Sequence, residues 1–204
     1  RLIGLVENLL DISRIEAGRQ KFEWADTHLE DMASTVVEEL TKAAKDKGLK
    51  LIYHKPKKPL PAVYADKNKI HEVMMNFTDN AIKYTKTGDV EVSIEEAPKG
   101  SITFAVKDHG MGVAEETLPY LFKKFSRGKD SFKVHTEGTG LGLYVARMII
   151  EAHHGILGAE TAGINKGSRF FFTIPLAGPK TTNYTAGEPA SKFLKGEEKP
   201  KKSK

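Results

Sequence analysis

Three short stretches, far apart in the sequence, place amides, an acid and glycines where predicted helices and strands begin or end. They are residues 76–84 (NFTDNAIKY), residues 108–112 (DHGMG) and residues 138–143 (GTGLGL). The first lies on a predicted helix, the second follows a predicted strand, and the third runs directly into another predicted helix. Each stretch alone is a weak signal, but the three in this order and spacing indicate one shared binding site.

The helix predicted over residues 66–84 has two different sides. Its apolar side carries residues at helical spacing, namely Ile70, Val73, Met74, Phe77 and Ala81. Its polar side carries residues three or four positions apart, which therefore face the same way, namely Glu72, Asn76, Asn80 and Lys83. An amide oxygen can complete the octahedral shell of magnesium, and a lysine can meet a phosphate. The alternative is an ordinary solvated helix face, although asparagine is a poor helix former and two of them need a reason.

The second stretch puts Asp108 at the end of an apolar strand and before a Gly-x-Gly turn. A carboxylate at a strand end can accept a hydrogen bond from the exocyclic amine of adenine. Gly110 and Gly112 would let the backbone approach a ligand because they have no Cβ. The alternative is an Asp-x-Gly turn that ends the strand without any ligand.

The third stretch opens a helix with glycines. Helix N-termini bind phosphate through free N–H groups and the aligned dipole. The stretch is not a P-loop, because the Gly-Lys-Ser/Thr ending is missing, and its glycine spacing is not that of a Rossmann fingerprint. A glycine-rich loop without a ligand is the alternative. Taken together, the three stretches predict a site for a nucleoside triphosphate with magnesium.

The remaining pattern predicts a chain of mixed helices and strands. Helices are predicted over 29–47, 66–84 and 141–153, and strands over 21–27, 49–55, 90–96, 102–107, 156–161 and 168–175. Residues 55–61 are rich in proline and predict a connection. Residues 109–137 lack clean periodicity, and a long irregular segment inside a domain is usually functional or mobile.

The first residues carry an apolar seam at alternating steps of three and four, formed by Leu2, Leu5, Leu9 and Ile12. This helix either packs on its own domain or is the end of a hairpin that pairs with another protomer. The sequence starts at Arg1 within the seam, so we expect a fragment of a longer chain.

Charge and composition exclude several classes of protein function and site. The formal net charge is +5, of which residues 178–204 supply +4 through seven lysines and three glutamates. The body is therefore near +1, and we expect no nucleic-acid partner. That tail has few apolar residues and is expected to be disordered. The absence of cysteine excludes disulfides and thiolate zinc sites, and no apolar run is long enough to cross a membrane.

The three stretches resemble the N box, G1 box and G2 box of the catalytic domain of sensor histidine kinases, in the gyrase/Hsp90/histidine kinase/MutL superfamily. Residues 122–127 (FKKFSR) resemble the F box, and residues 8–18 (NLLDISRIEAG) resemble the end of the dimerisation and phosphoacceptor hairpin. The resemblance covers roughly residues 1–176. It implies a two-layer α/β sandwich of the Bergerat type, with a mixed sheet, three helices on one face and a flexible lid.

The resemblance also implies roles for individual residues. Asn80 would coordinate magnesium with Asn76 in support, and Asn76, Lys83 and Arg127 would be the catalytic residues. Nucleotide contacts are implied for Asn80, Tyr84, Asp108, Gly110, Gly112, Gly138, Thr139, Gly140, Leu141, Gly142, Leu143 and Ser168. By the same resemblance, Asp108 would bind adenine, Arg127 would approach the γ-phosphate, and Ser168 takes the place of a common threonine near the base.

The implied function is ATP-dependent transfer of the γ-phosphoryl group to a histidine in two-component signal transduction. Residues 1–20 would end the dimerisation hairpin, 21–177 would form the catalytic domain and 178–204 the tail. The implied partners are the hairpin in cis or in trans, a receiver domain of a response regulator and a second copy in a homodimer. We expect a cytoplasmic domain, and the sequence leaves open whether its parent is anchored in a membrane.

One departure from the family pattern and two alternatives qualify this function. The phosphoacceptor box, a His-Glu pair followed by Arg and Thr-Pro, is absent, so this chain is not expected to be its own substrate. A superfamily ATP hydrolase is one alternative, but such enzymes resemble this chain with a glutamate base where Asn76 stands. A nucleotide-sensing module without catalytic activity is the other alternative.

Overall fold

A mixed five-stranded sheet is the framework of the computed structural model, which describes residues 9–10, 12–126 and 140–176. The strand order is β2-β4-β5-β7-β6. The strands are β2 (Lys50–His54), β4 (Asp89–Ala97), β5 (Ser101–Asp108), β6 (Ile156–Thr161) and β7 (Ser168–Pro175). Strands β2 and β4 run parallel, and every other neighbouring pair is antiparallel.

Three α-helices cover one face of this sheet. They are α1 (Leu29–Asp46), α2 (Lys67–Tyr84) and α3 (Gly142–Ala152). In β4, buried Val90, Val92 and Ile94 alternate with more accessible residues, as expected for a sheet with one face packed and one solvated. Phe104 of β5 and Phe172 of β7 stack with ring centroids 5.3 Å apart. The predicted α/β fold with a mixed sheet and three helices is confirmed.

The helix boundaries follow from local chemistry that the sequence displays. The Asp66 side chain caps α2 by accepting a hydrogen bond from the Lys69 N–H at 3.0 Å, as aspartate before a helix commonly does. Helix α1 ends at Gly48, whose φ of +74° suits the left-handed cap that glycine adopts without strain. Both helices lie within a residue or two of their predicted bounds.

A small second sheet was not predicted. Strand β1 (Trp24–Thr27) pairs antiparallel with β3 (Val63–Asp66). The strand predicted over 21–27 is therefore shorter than expected, and β3 was missed because four residues after a proline-rich stretch give little periodicity. The ribbon matters because β3 leads directly into α2.

The buried imidazole of His153 holds this ribbon against the end of α3. The Asp66 N–H donates to Nε2 of His153 at 3.0 Å, and Nδ1 donates to the Ile149 carbonyl at 2.7 Å. Burial lowers the pKa of His153 to about 4. The side chain is therefore neutral and enclosed.

The helical residues 12–16 pack on the same core as the rest of the chain. Ile12 and Ile15 are buried in it, while Leu9 and Leu10 are exposed. Glu16 accepts a hydrogen bond from the Tyr144 hydroxyl at 2.8 Å and pairs with Lys124 at 2.6 Å. This segment therefore docks on the domain through its apolar and acidic residues; the beginning of the predicted seam lies outside the described residues.

Two further predictions concern parts of the chain outside the described residues. The predicted disordered tail is one, and the part of the predicted lid that carries Arg127 is the other, since residues 127–139 are not described. Before them, the segment predicted to be irregular contains a short 3₁₀ helix, Glu115–Tyr120. Among the described helices, none combines the length and the apolar character that crossing a membrane requires.

Candidate functional site

The two asparagines of α2 form a hydrogen-bonded pair on its polar side. Nδ2 of Asn80 donates to Oδ1 of Asn76 at 3.1 Å, and both side chains are half-buried. The spacing of four positions produces this contact, because residues one turn apart lie side by side. The bond orients the Asn80 amide and uses its nitrogen, so that its oxygen is the atom left to face a ligand.

The charged residues predicted on the same face are paired within the helix. Lys83 Nζ lies 2.5 Å from Oδ2 of Asp79, and Lys69 Nζ lies 3.0 Å from Oε2 of Glu72. The Lys83 side chain is 51% exposed and therefore accessible. The face predicted to group a carboxylate, two amides and an amine thus carries local ion pairs on either side of the asparagine pair.

The start of α3 lies against the same asparagines. Asn76 and Glu72 on α2 line a narrow cleft whose other wall is the first turns of α3, including Gly142 and Val145. A Cβ added at Gly142 would collide with the amide nitrogen of Asn76, which explains why glycine is needed there. The N-box stretch and the end of the G2-box stretch therefore lie side by side.

Asp108 is buried at the end of β5, with 5% of its surface exposed. Its Oδ1 accepts the Gly110 N–H at 2.8 Å, and the Ser168 N–H also donates to the carboxylate. Burial raises the pKa of the Asp108 carboxyl above its usual value, while these N–H groups and His109 act in the opposite direction. A carboxylate with two oxygens has further acceptor capacity for a ligand's N–H group.

The glycine turn after Asp108 is clamped between the end of α2 and the β6–β7 turn. The Met111 N–H donates to the Tyr84 carbonyl at 3.3 Å, and the Gly167 N–H donates to the Gly110 carbonyl at 3.2 Å. A Cβ at Gly110 would collide with the Tyr84 carbonyl, and one at Gly112 would collide with the Gly163 carbonyl. Both glycines are thus required because another segment of the chain comes close. The neighbour is protein backbone, whereas the sequence predicted close approach to a ligand.

Thr161 holds this turn through contacts that were not predicted from the sequence. The Thr161 hydroxyl donates to the Gly167 carbonyl at 3.0 Å and accepts the Gly163 N–H at 3.1 Å. Thr161 Oγ1 also lies 3.3 Å from the Val113 N–H, which ties the β6–β7 turn to the segment after Asp108. The sequence around the turn has a Thr-x-Gly pattern before it and a Gly-Ser pattern after it. Both patterns are too common to indicate a site.

The predicted site residues that the structure describes lie on α2, at and after the adjoining ends of β5 and β7, and at the start of α3. Asn76, Asn80, Lys83 and Tyr84 lie along α2, and Asp108, Gly110, Gly112 and Ser168 surround its C-terminal end. Gly140 and Leu141 precede α3, with Leu141 fully buried, and Gly142 and Leu143 lie in its first turn. The predicted residues Arg127, Gly138 and Thr139 lie outside the described residues.

The donor set fits magnesium held mainly by a nucleotide. Within the described residues there is no group of three or more His, Cys, Asp or Glu side chains able to hold a metal ion. An amide oxygen such as that of Asn80 suits magnesium, which usually keeps several waters and binds phosphate oxygens together with one or two protein ligands. The role of Asn80 as a ligand, with Asn76 in support, stays a prediction.

The sequence profile of one protein family matches residues 65–178, which include α2, Asp108 and α3. That family is described as histidine kinase-, DNA gyrase B-, and HSP90-like ATPases. The chain belongs to this family. The resemblance to the catalytic ATP-binding domain of sensor histidine kinases is confirmed, and so is the predicted fold.

Known proteins of this type share both sequence and fold with the chain. A non-motile and phage-resistance protein of Caulobacter vibrioides is 36% identical over 179 residues, covering 86% of this chain and 21% of that protein. The crystal structure of full-length ShkA with AMPPNP has a TM-score of 0.76 at 28% identity, covering 89% of this chain and 37% of that chain. The catalytic domain of histidine kinase ThkA has a TM-score of 0.66 at 25% identity, covering 76% of this chain and 97% of that domain. The present chain thus spans about a fifth of the first relative and nearly all of an isolated histidine kinase catalytic domain.

Proposed function

We propose that this chain is the ATP-binding catalytic domain of a protein histidine kinase, which transfers the γ-phosphoryl group of ATP to a histidine on a dimerisation hairpin. One observation carries the proposal. The asparagine pair of α2 lies beside the glycine-led start of α3, and buried Asp108 and the turn after it lie beside the C-terminal end of the same helix. This arrangement provides an acceptor for a base at one end and polar groups for phosphates at the other.

We call these two regions the base end and the phosphate end. The base end comprises Tyr84, Asp108, the turn at residues 109–112 and the turn at residues 162–167. The phosphate end comprises Asn76, Asn80 and the first turn of α3. ATP would bind with adenine at Asp108 and its phosphates towards Asn80, because a carboxylate accepts from the adenine amine but would repel phosphate.

The residues present would act by positioning and by neutralising charge, which is the main requirement of phosphoryl transfer. Asn80 would hold a magnesium ion, which when bound neutralises phosphate charge. Lys83 would turn from Asp79 towards a phosphate, and Asn76 would keep Asn80 oriented. The N–H groups at the start of α3 would receive phosphate oxygens. Arg127, predicted to approach the γ-phosphate, completes the proposal.

A hydrolase function is disfavoured by the chemistry of Asn76. Superfamily hydrolases have a glutamate base at this position, whereas an amide cannot take a proton from water at neutral pH. In addition, Oδ1 of Asn76 already accepts the hydrogen bond from Asn80. The side chain therefore acts in orientation rather than in activating a nucleophile.

The phosphoryl acceptor belongs to a separate hairpin in this proposal. His153 is enclosed, with both ring nitrogens hydrogen-bonded, and His71 lies on α2 with its Nε2 3.4 Å from a carboxylate oxygen of Glu39. Neither is placed to receive a phosphoryl group. A receiver domain of a response regulator, a homodimeric parent and a cytoplasmic location remain predictions that accompany this proposal.

Transfer in trans tests the proposal. The chain would be incubated with γ-labelled ATP, magnesium and a dimerisation hairpin carrying the phosphoacceptor histidine. We expect acid-labile, alkali-stable label on the hairpin and none on the chain itself. Transfer would be slow because the two parts lack the covalent tether that raises effective concentration.

The matched controls separate catalysis from contamination. Replacing the acceptor histidine of the hairpin by alanine should remove the label, and Asn80→Ala in this chain should do so with an intact hairpin. Label on the chain itself would show that one of its own histidines is an acceptor. Release of free phosphate without any labelled hairpin would favour the hydrolase instead.

A further inference from the structure

The two long helices end differently, although their C-termini lie side by side. Helix α1 closes with a glycine cap, in which the Gly48 N–H donates to the Lys45 carbonyl and the Leu49 N–H to the Ala44 carbonyl, both at 2.9 Å. Helix α2 has no glycine at its end, and its C-cap residue Thr85 has extended backbone with ψ of 128°. The last carbonyls of α2 therefore need donors from other parts of the chain.

Those donors come from α1 and from the turn after Asp108. The carbonyls that end α2 belong to Ala81, Ile82, Lys83 and Tyr84. The Thr85 N–H donates to the Ala81 carbonyl at 3.1 Å, and the Met111 N–H donates to the Tyr84 carbonyl at 3.3 Å. Nζ of Lys47 donates to both middle carbonyls, at 2.7 Å for Ile82 and 2.5 Å for Lys83. One side chain thus completes the cap of the helix that carries the candidate site.

The charge of Lys47 suits this place for a second reason. Lys47 is itself the C-cap residue of α1, so its ammonium lies between the C-terminal ends of two helices. Each such end carries a partial negative charge, and a cation between them offsets their mutual repulsion. Burial lowers the pKa of Lys47 below its usual value, in keeping with an ammonium partly withdrawn from water.

We propose that Lys47 is a positioning residue for the nucleotide site. By holding the carbonyls of Ile82 and Lys83, it fixes the last turn of α2, from which Lys83 and Tyr84 project. The same turn presents the Tyr84 carbonyl to the Met111 N–H, and so sets the place of the turn after Asp108. Lys47 touches no ligand in this account. Its effect on nucleotide binding rests on the proposed function, whereas its effect on the turn does not.

The first test measures the unliganded protein. Lys47→Met removes the donor and keeps the aliphatic stem, Lys47→Arg keeps a cationic donor, and Lys45→Met removes an exposed charge from the same turn of α1. We expect amide hydrogen exchange at Met111 to rise about tenfold in Lys47→Met. Exchange at Phe104 in the middle of β5 should not change. An equal rise at Phe104, or no rise at Met111, would overturn the positioning role.

The second test measures ADP affinity by calorimetry at a temperature where every variant is folded. We expect Lys47→Met to weaken binding about tenfold, which corresponds to 1.4 kcal/mol. Lys47→Arg should restore it to within about twofold, and Lys45→Met should match the parent. Parental affinity in Lys47→Met, or equal loss in the arginine variant, would contradict the proposal. If the parent itself fails to bind ADP, the proposed function fails, and the exchange at Met111 still decides the role of Lys47.

Discussion

The base end and the phosphate end are built in different ways. At the base end, main-chain groups bind one another: the Met111 N–H meets the Tyr84 carbonyl, and the Gly167 N–H meets the Gly110 carbonyl. At the phosphate end, the described contacts are between side chains, chiefly the bond between Asn80 and Asn76, and the steric contact of Asn76 with Gly142. One region is therefore fixed by the backbone, and the other depends on side chains.

This difference predicts which substitutions at each end will destabilise the fold and which will affect only ligand binding. A main-chain network leaves no room for a Cβ, so that a substitution there disturbs the fold itself. A side-chain pair on a stable helix can be truncated while the helix persists, so that a substitution there disturbs the ligand alone. Substitutions of the clamped glycines at the base end should therefore act mainly on stability, whereas substitutions of side chains that would contact the nucleotide should act mainly on affinity.

The largest effect is expected at the base end, from Gly112→Ala. Gly112 has a φ of +65°, and an added Cβ would collide with the Gly163 carbonyl. We expect a loss of about 3 kcal/mol in the free energy of unfolding, from backbone strain and the displaced turn together. Urea denaturation followed by circular dichroism measures it.

Gly48→Ala is the matched control for this prediction. Gly48 has a similar φ of +74°, yet an added Cβ would meet nothing within 4 Å. It should cost only about 1 kcal/mol, because backbone strain is the only cost. Equal losses in the two variants would mean that the clamped turn adds nothing, and the contrast between the two ends would lose its basis.

Asp108→Asn is expected to have the next largest effect, on affinity. Loss of a buried, charge-assisted hydrogen bond should weaken ATP binding by about 1.5–3 kcal/mol. The preference for ATP over GTP should also fall, because a carboxylate facing the guanine carbonyl sets acceptor against acceptor. Competition binding with both nucleotides measures the ratio, and Asp26→Asn on an exposed position of β1 is the control. An unchanged ratio would show that Asp108 does not bind the base.

The contrast between the two ends also explains what the sequence could predict. Helix α2, its Asp66 cap, the end of α1 at Gly48 and the strands β4 to β7 follow from local periodicity and capping, which are encoded within a few residues. The asparagine pair was predictable for the same reason, because its members are one turn apart on a single helix. Local patterns therefore gave the elements and the phosphate-end face.

Long-range contacts were not predictable from the sequence. Thr161 and Gly167 act on the turn after Asp108, and Lys47 acts on α2 from another helix, at separations that no local pattern records. His153 lies at the end of α3, and nothing in the neighbouring sequence records that it is enclosed and accepts from the Asp66 N–H. The short strand β3 lacked the length for a period to appear.

The smallest effect is expected next to the phosphate end, from Asp79→Asn. The ion pair of Asp79 with Lys83 joins side chains that are 39% and 51% exposed, and such pairs contribute little to stability. We expect the free energy of unfolding to change by less than about 0.5 kcal/mol. ATP affinity should hold or rise slightly, because Lys83 loses a competing anion. A marked fall in affinity on titration with ATP would mean that Asp79 serves the ligand directly.

The magnesium dependence of ATP binding tests the central claim, that the two ends form one site for ATP and its metal. Calorimetry would compare ATP affinity with and without magnesium in the parent, in Asn80→Ala and in Asn68→Ala, an exposed asparagine in the first turn of α2. We predict that magnesium tightens binding in the parent and in Asn68→Ala, and that Asn80→Ala binds ATP equally with or without it. Full magnesium dependence in Asn80→Ala, or no ATP binding by the parent, would contradict the account.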